Sequence, residues 1–246
     1  MNHIKEFERI DVAEYMARER ATEVKSIAQV HLDLLEAMDN PRQDQGVKLP
    51  FCRNWPDDKH PPRIRDKELI VMAGYNGHFK SSISAQIAME FIYSGHPVGV
   101  MSMEMPITDT AELFVKLAWP NNQLDDGLVA DFVEYAADKL FIYDQMDPIQ
   151  PVDATSCIWH MARKLGCKLV ILDSMMQCNV TEDTETERRF VQMLAAMAKT
   201  LDITILLIHH MRKPGSEGES KRPGKYDLIE SSHISNNAMQ VWIVCH

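Results

Sequence analysis

Lys80 and Ser81 follow Gly74 by six and seven residues, in the run GYNGHFKSS, between an apolar stretch ending at Ala73 and an apolar-periodic stretch from Ile83 to Tyr93. A strand that turns through glycines into a helix, with a lysine and a hydroxyl at the end of the turn, is the layout of a phosphate cradle. Backbone N–H groups of the turn and of the helix N-terminus point at phosphate oxygens, the lysine adds positive charge on the β/γ oxygens, and the hydroxyl ligates Mg²⁺. On this reading Gly74, Asn76, Gly77, His78, Phe79, Lys80, Ser81 and Ser82 line a site for ATP with Mg²⁺. The pattern G-x-x-x-x-G-K-[ST] has glycine where Phe79 stands, and a side chain there limits how the backbone curls around a phosphate. Asn76 and Gly77 are expected to supply the positive-φ freedom instead. The competing reading is a Gly-rich strand-to-helix turn with an exposed lysine.

Three further groups fall at the ends of apolar runs. Glu104 follows Val98 to Ser102, where a carboxylate can orient or deprotonate a water attacking a γ-phosphate; a helix cap or a solvated acid is the alternative. Asp173 ends Leu169 to Leu172, where it can hold Mg²⁺ opposite the Ser81 hydroxyl; the alternative is a turn-forming Asp-Ser. His209 and His210 end Ile205 to Ile208. The pair invites a zinc reading, but no third or fourth ligand stands at a suitable spacing. His210 as a polar sensor of the γ-phosphate is more economical, beside the alternative of a histidine satisfied in the core. Arg212, Lys213, Lys221, Arg222 and Lys225 form the densest basic run of an otherwise acidic chain, read either as phosphate contacts to single-stranded nucleic acid or to a nucleotide on a neighbouring subunit, or as a solvated loop. Only Tyr226 stands among them to stack on a base.

These groups need a scaffold, and the pattern supplies one. Strands are predicted at 69–73, 98–102, 140–143, 168–173, 203–208 and 240–245, alternating with helices at 81–94, 109–118, 127–137, 153–165, 185–200 and 231–237. Such alternation predicts an α/β fold with a mostly parallel sheet covered by helices on both faces, with ligands at the carboxyl ends of its strands. The loops after 69–73, 98–102, 168–173 and 203–208 gather the chemistry if the strand order brings them together. Ahead of this core, apolar residues at three and four from Val24 to Met38 predict a helix over 4–38, and the prolines between 41 and 62 predict an extended connector.

Composition narrows the class. With 246 residues, 45% hydrophobic and 25% charged, the chain is long enough for one large α/β domain with an extension. Five scattered cysteines without a C-x-x-C speak against a zinc framework or a disulfide scaffold. No apolar run approaches the ~20 residues that cross a bilayer, and the charged N-terminus does not read as a signal peptide, so a cytoplasmic protein is expected. A net charge of −10 excludes a surface coated by nucleic acid, though not a narrow basic patch.

In order, GYNGHFKSS, VGVMSMEM, LVILDS, ILLIHHMRKP and KRPGKYDLIESSHISNNAMQVWIV resemble the RecA-like motor domain of DnaB-type replicative helicases, and within it bacteriophage primase-helicases and Twinkle-like proteins. The resemblance spans about Glu68 to His246. It implies a RecA-like P-loop core over 67–246, preceded by an N-terminal helical segment (1–40) and a Pro-rich linker (41–66). It implies Lys80 and Ser81 on the triphosphate and Mg²⁺, Glu104 as catalytic carboxylate, Asp173 as Walker B acid and His210 as γ-phosphate sensor. It further implies a homo-oligomeric ring, a hexamer, translocating on single-stranded DNA in a bacterial or phage-infected cell beside other replication proteins, with the N-terminal helix docked on the adjacent subunit. Three departures stand out: Phe79, an acidic stretch after Asp173 (MMQCNVTEDTETE) where a DNA-gripping loop is expected, and an end at His246 where the resemblance implies that trans-acting basic residues follow. They keep open a second expectation, a nucleotide-binding replication scaffold or helicase loader with little ATPase activity.

Overall fold

The structure, a computed structural model, describes residues 9–19, 26–41, 45–52, 56, 61–180, 184–211 and 232–245. Its centre is a six-stranded parallel sheet of β3 (Leu69–Gly74), β4 (Val98–Ser102), β5 (Leu140–Ile142), β6 (Leu169–Asp173), β7 (Thr204–His210) and β8 (Gln240–Ile243), in the order β5-β4-β6-β7-β3-β8. Every residue of β3, β4 and β6 is buried, whereas the edge strands β5 and β8 are half-buried. Unbroken apolar runs such as LIVMA and LVIL suit strands covered on both faces, and they fall at the sheet's centre for that reason.

Helices α3 (Lys80–Tyr93), α4 (Ile107–Ala118) and α5 (Asp126–Ala136) cover one face, and α6 (Pro151–Arg163) and α7 (Thr184–Leu201) the other, joined there by α1 (Val12–Glu19) and α8 (Ser232–Asn237). The two clusters meet their own sides of the same strands: Ile70, Met72 and Ile171 point toward α3, while Val71, Val170 and Leu172 point toward α6 and α7. This is the period-two alternation of a pleated strand. All twelve predicted core elements are present with ends within three residues of expectation. Among the described residues, no helix is long and apolar enough to cross a membrane.

The N-terminal part differs from expectation. Instead of one helix over 4–38, the chain forms α1 and a separate α2 (His31–Asp39), with residues 27–30 in a turn. The Ser26 N–H is taken by Gln29 Oε1 at 2.7 Å, a local bond that competes with helix hydrogen bonding. Packing separates the two pieces as well. Val12 and Met16, four apart, are buried against the α6/α7 face, whereas no residue of α2 is buried, and short helices depend on such packing. The connector is likewise more ordered than predicted. Short strands β1 (Val47–Lys48) and β2 (Arg63–Ile64) pair antiparallel, and Leu49, Cys52 and Ile64 join the core beside α3.

Candidate nucleotide site

The sheet order decides which strand ends meet. β4, β6, β7 and β3 are consecutive neighbours, so the loops carrying Glu104, Asp173, His210 and the Gly74–Ser82 turn emerge side by side at one end of the sheet. They enclose an open cleft of about 680 Å³ lined by Asn76 to Ser82, Glu104, Met176, Gln177 and His210.

The turn is held from within. Lys80, 5% exposed, is bent back so that its Nζ donates to the carbonyls of Gly74 (3.1 Å) and Tyr75 (2.9 Å). Burial lowers its pKa, while the nearby Asp173 and Glu104 carboxylates act in the opposite direction. This backbone-bound ammonium makes no direct ion pair among the described residues and is suited to receive an anion. Gly74 is required by close approach, since a Cβ there would stand 2.7 Å from the Val244 carbonyl at the end of β8. The positive φ is distributed differently from expectation: Gly77 takes it (+83°), Asn76 does not, and Phe79 does (+56°). Phe79 occupies the N-cap position of α3 in the left-handed region with its ring 58% exposed. The backbone therefore adopts the curl a glycine would allow, against the steric preference of an L-residue.

Ser81, in the first turn of α3, donates its hydroxyl to Asp173 Oδ2 at 2.7 Å. Asp173 is 4% exposed, and its other oxygen, Oδ1, is buried without a hydrogen-bond partner among the described residues. Burial pushes the carboxyl's pKa up, and the Ser81 hydrogen bond only partly offsets this. A buried acid with one idle oxygen beside a serine hydroxyl is a donor set short of a cation, and it fits Mg²⁺ by the chemistry of its all-oxygen ligands.

Glu104 is tied from two sides. Ser174 Oγ donates to its Oε1 at 2.7 Å, and His210 Nε2 lies 3.1 Å from the same oxygen. The bond from His210 is the largest influence holding the carboxyl below its ordinary pKa, burial opposing it and Ser174 assisting. The other ring nitrogen of His210, Nδ1, bonds Asn76 Oδ1 in the phosphate turn. Ligand atoms of Glu104, Asp173 and His210 all lie within 4.8 Å of one another. Ser174 and the Tyr75 carbonyl were not singled out by the sequence reading. Ser174 had one signal, its place directly after the strand-ending Asp173.

Arg212, Lys213, Lys221, Arg222 and Lys225 lie outside the described residues, as does most of the KRPGKYDLIESSHI motif. The acidic stretch after Asp173 has a local explanation where it is described. Met175 and Cys178 are buried in a 3-10 turn, and Glu185 and Glu187 fall in the first turn of α7, where carboxylates oppose the helix dipole. Glu185 also pairs with Arg188 and Arg189 at 2.7 Å each, which bring its pKa down to about 2.

With the geometry in hand, comparison with known proteins gives a consistent account of the fold. A family model described as AAA domain matches residues 53–216, two thirds of the chain. Among solved structures, one described as an ATPase domain superposes with a TM-score of 0.74 at 16% identity, over 91% of this chain and 84% of that one. A DnaB-like replicative helicase, described together with its interactions with primase, superposes with a TM-score of 0.65 at 16% identity, over 94% of this chain and 60% of that one. At that identity the likeness is one of fold, and the fold is that of the RecA-like ATPase domains of DnaB-type helicases. No curated protein matches the sequence.

Proposed function

The chain belongs to the AAA-domain family, and from that premise we propose that it is the Mg·ATP-hydrolysing motor of a DnaB-type DNA helicase, translocating on single-stranded DNA during replication. The observation that carries this reading is the convergence of Ser81, Asp173, Glu104 and His210 from four adjacent strand ends beside the Lys80 turn, with Ser81 and Asp173 2.7 Å apart.

Each residue then has a task. Lys80 turns from the Gly74 and Tyr75 carbonyls to oppose charge on the β/γ oxygens. Ser81 and Asp173 hold Mg²⁺, which when bound neutralises charge developing on the transferring phosphoryl group. Glu104, kept ionised by its partners, accepts hydrogen bonds from a water and aims it in line with the γ-phosphorus. His210, bridging Glu104 and Asn76, reports whether a γ-phosphate fills the cleft. Phosphoryl transfer asks mainly for positioning and electrostatics, and these groups supply both.

The remaining parts extend the proposal to an assembly. Arg212, Lys213, Lys221, Arg222 and Lys225 contact DNA phosphates, and α2 docks through Leu32 and Leu35 on the next subunit of a homo-oligomeric ring, a hexamer. A second reading, a nucleotide-binding replication scaffold with little turnover, is favoured by one observation, the left-handed Phe79 at the point where phosphate approaches backbone. ATPase rate with and without single-stranded DNA, measured beside oligomer size by light scattering, separates the two. DNA-stimulated hydrolysis by an oligomer is expected; ATP-dependent assembly without turnover would transfer the case to the scaffold.

A further inference from the structure

Along the sequence His210 has no zinc-ligand neighbour at a usable spacing, yet the fold surrounds it with two acids from other strands. The imidazole geometry is specific. Its Nδ1 is hydrogen-bonded with the Asn76 amide oxygen, a bond that Nδ1 donates when it carries the ring proton. Nε2 is then directed to the carboxylate side, buried and 3.1 Å from Glu104 Oε1. At that distance a ring nitrogen and a carboxylate oxygen are held together by a cation, either the Nε2 proton that bonds Glu104 or a metal dication that displaces it. A distance of 3.1 Å is also close to the edge between two ligands of one metal, as bonds of about 2.0–2.2 Å to nitrogen and oxygen produce. The second acid contributes Asp173 Oδ1, an acceptor buried without a hydrogen-bond partner among the described residues, in a residue 4% exposed. Finally, an imidazole that donates its far N–H to a fixed oxygen is the usual second-sphere arrangement of a metal-bound histidine.

We propose that Glu104, Asp173 and His210 form a direct binding site for a transition-metal dication, one nitrogen and two carboxylates, filled when no nucleotide is bound. This ligand set favours metals with affinity for imidazole over Mg²⁺, which takes oxygen ligands and retains its waters. The consequence rests on the nucleotide reading of the same site: a dication seated on Glu104 and Asp173 occupies the water-aiming and Mg²⁺-holding groups together, so the metal and Mg·ATP exclude one another. Asn76 is the positioning residue, since it holds the Nδ1 edge of the ring and leaves Nε2 facing the two acids.

The test is calorimetric titration of Zn²⁺ into the full chain without nucleotide, in excess Mg²⁺. A Cys245→Ser background removes the exposed thiol. One Zn²⁺ per chain is expected. His210→Gln keeps a polar group toward Asn76 without a ring nitrogen, and Glu104→Gln keeps the shape without the charge. Each is expected to weaken binding at least about tenfold, and Asn76→Ala by about 10–100-fold as for other second-sphere partners. Circular dichroism confirms that each variant is folded. Absence of stoichiometric binding, or affinity unchanged in both His210→Gln and Glu104→Gln, means an adventitious ion only and overturns the site. Binding of Mg·ATP to the same wild-type sample keeps the two readings apart. ATP bound without Zn²⁺ removes the metal site alone, whereas Zn²⁺ bound without ATP leaves the site and removes the motor.

Discussion

Two regions depart from ordinary burial in opposite directions. At the strand ends, Lys80 and Asp173 are buried ionisable groups at 5% and 4% exposure. In the N-terminal region, Ile27 and the α2 residues Leu32 and Met38 are apolar groups at 76%, 78% and 69% exposure. Each departure costs stability: a buried acid with an idle oxygen is disfavoured, and a row of exposed aliphatic side chains forgoes burial. Neither cost is fully offset within the described residues, which leaves each region open to a further partner. On the proposed reading the strand ends receive a small, highly charged ligand and α2 a protein surface. Violations of local folding rules accordingly point to where binding occurs.

The largest effect should come from the strand ends. Glu104→Gln keeps size and hydrogen bonding but removes the charge that aims the water, so ATP turnover is expected to fall by about 10²–10⁴-fold while nucleotide binding persists. Turnover at the parental rate would leave the site without its proposed base. On the other side of the comparison, Leu32→Asp is expected to weaken subunit assembly by roughly 1.5–3 kcal/mol, the scale of one buried aliphatic side chain. The melting of the separate chain should move by no more than about 0.5 kcal/mol, as for other exposed positions. A large loss of chain stability with assembly intact would show that α2 serves its own domain.

Asp173→Asn sharpens the contrast because it should harm function and help folding. Burial raises the Asp173 carboxyl pKa, so the folded state binds a proton more readily than the unfolded state does. The resulting destabilisation is absent below the ordinary carboxylate pKa of about 4 and grows as pH rises through the raised value. Asparagine removes it. Without Mg²⁺ or nucleotide, the variant is expected to be more stable than the parent near pH 7, because the amide is neutral where the buried carboxylate is charged. The difference should shrink toward pH 4 in parallel thermal melts. A variant less stable at neutral pH would mean that the Ser81 bond outweighs the desolvation.

Much of this was legible in the chain because the relevant signals are local. Runs such as LIVMA and LVIL identify buried strands, and a glycine, acid or histidine within two residues of each run's end marks the strand end that a parallel sheet presents to ligand. Strand order is not local, and only the sheet shows that the four runs carrying Lys80, Glu104, Asp173 and His210 are neighbours. Ser174 went unnoticed because its role depends on Glu104, 70 positions away. The single helix over 4–38 failed for a related reason: no Gly or Pro interrupts the stretch, and among the described residues α1 is buried against α6 and α7 whereas no residue of α2 is buried. Asn76 was expected to take a positive φ on residue preference, whereas the constraint of entering α3 falls on Phe79.

Phe79 supplies the smallest effect and a discriminating one. A left-handed L-residue costs about 1–2 kcal/mol relative to a relaxed backbone, and glycine there carries an entropic cost of roughly 0.5–1 kcal/mol. Phe79 is 58% exposed, so more than half of its surface is already in water, and glycine is acceptable at an N-cap that makes no side-chain cap bond. Phe79→Gly is therefore expected to stabilise the chain by about 0.5–1 kcal/mol in denaturant melts, and to tighten Mg·ATP binding severalfold by freeing backbone for the phosphates. If instead the variant is no more stable and binds ATP more weakly, the exposed ring is itself a nucleotide contact. The strained residue would then belong with Lys80 and Asp173 among the groups whose folding cost is met only by the ligand.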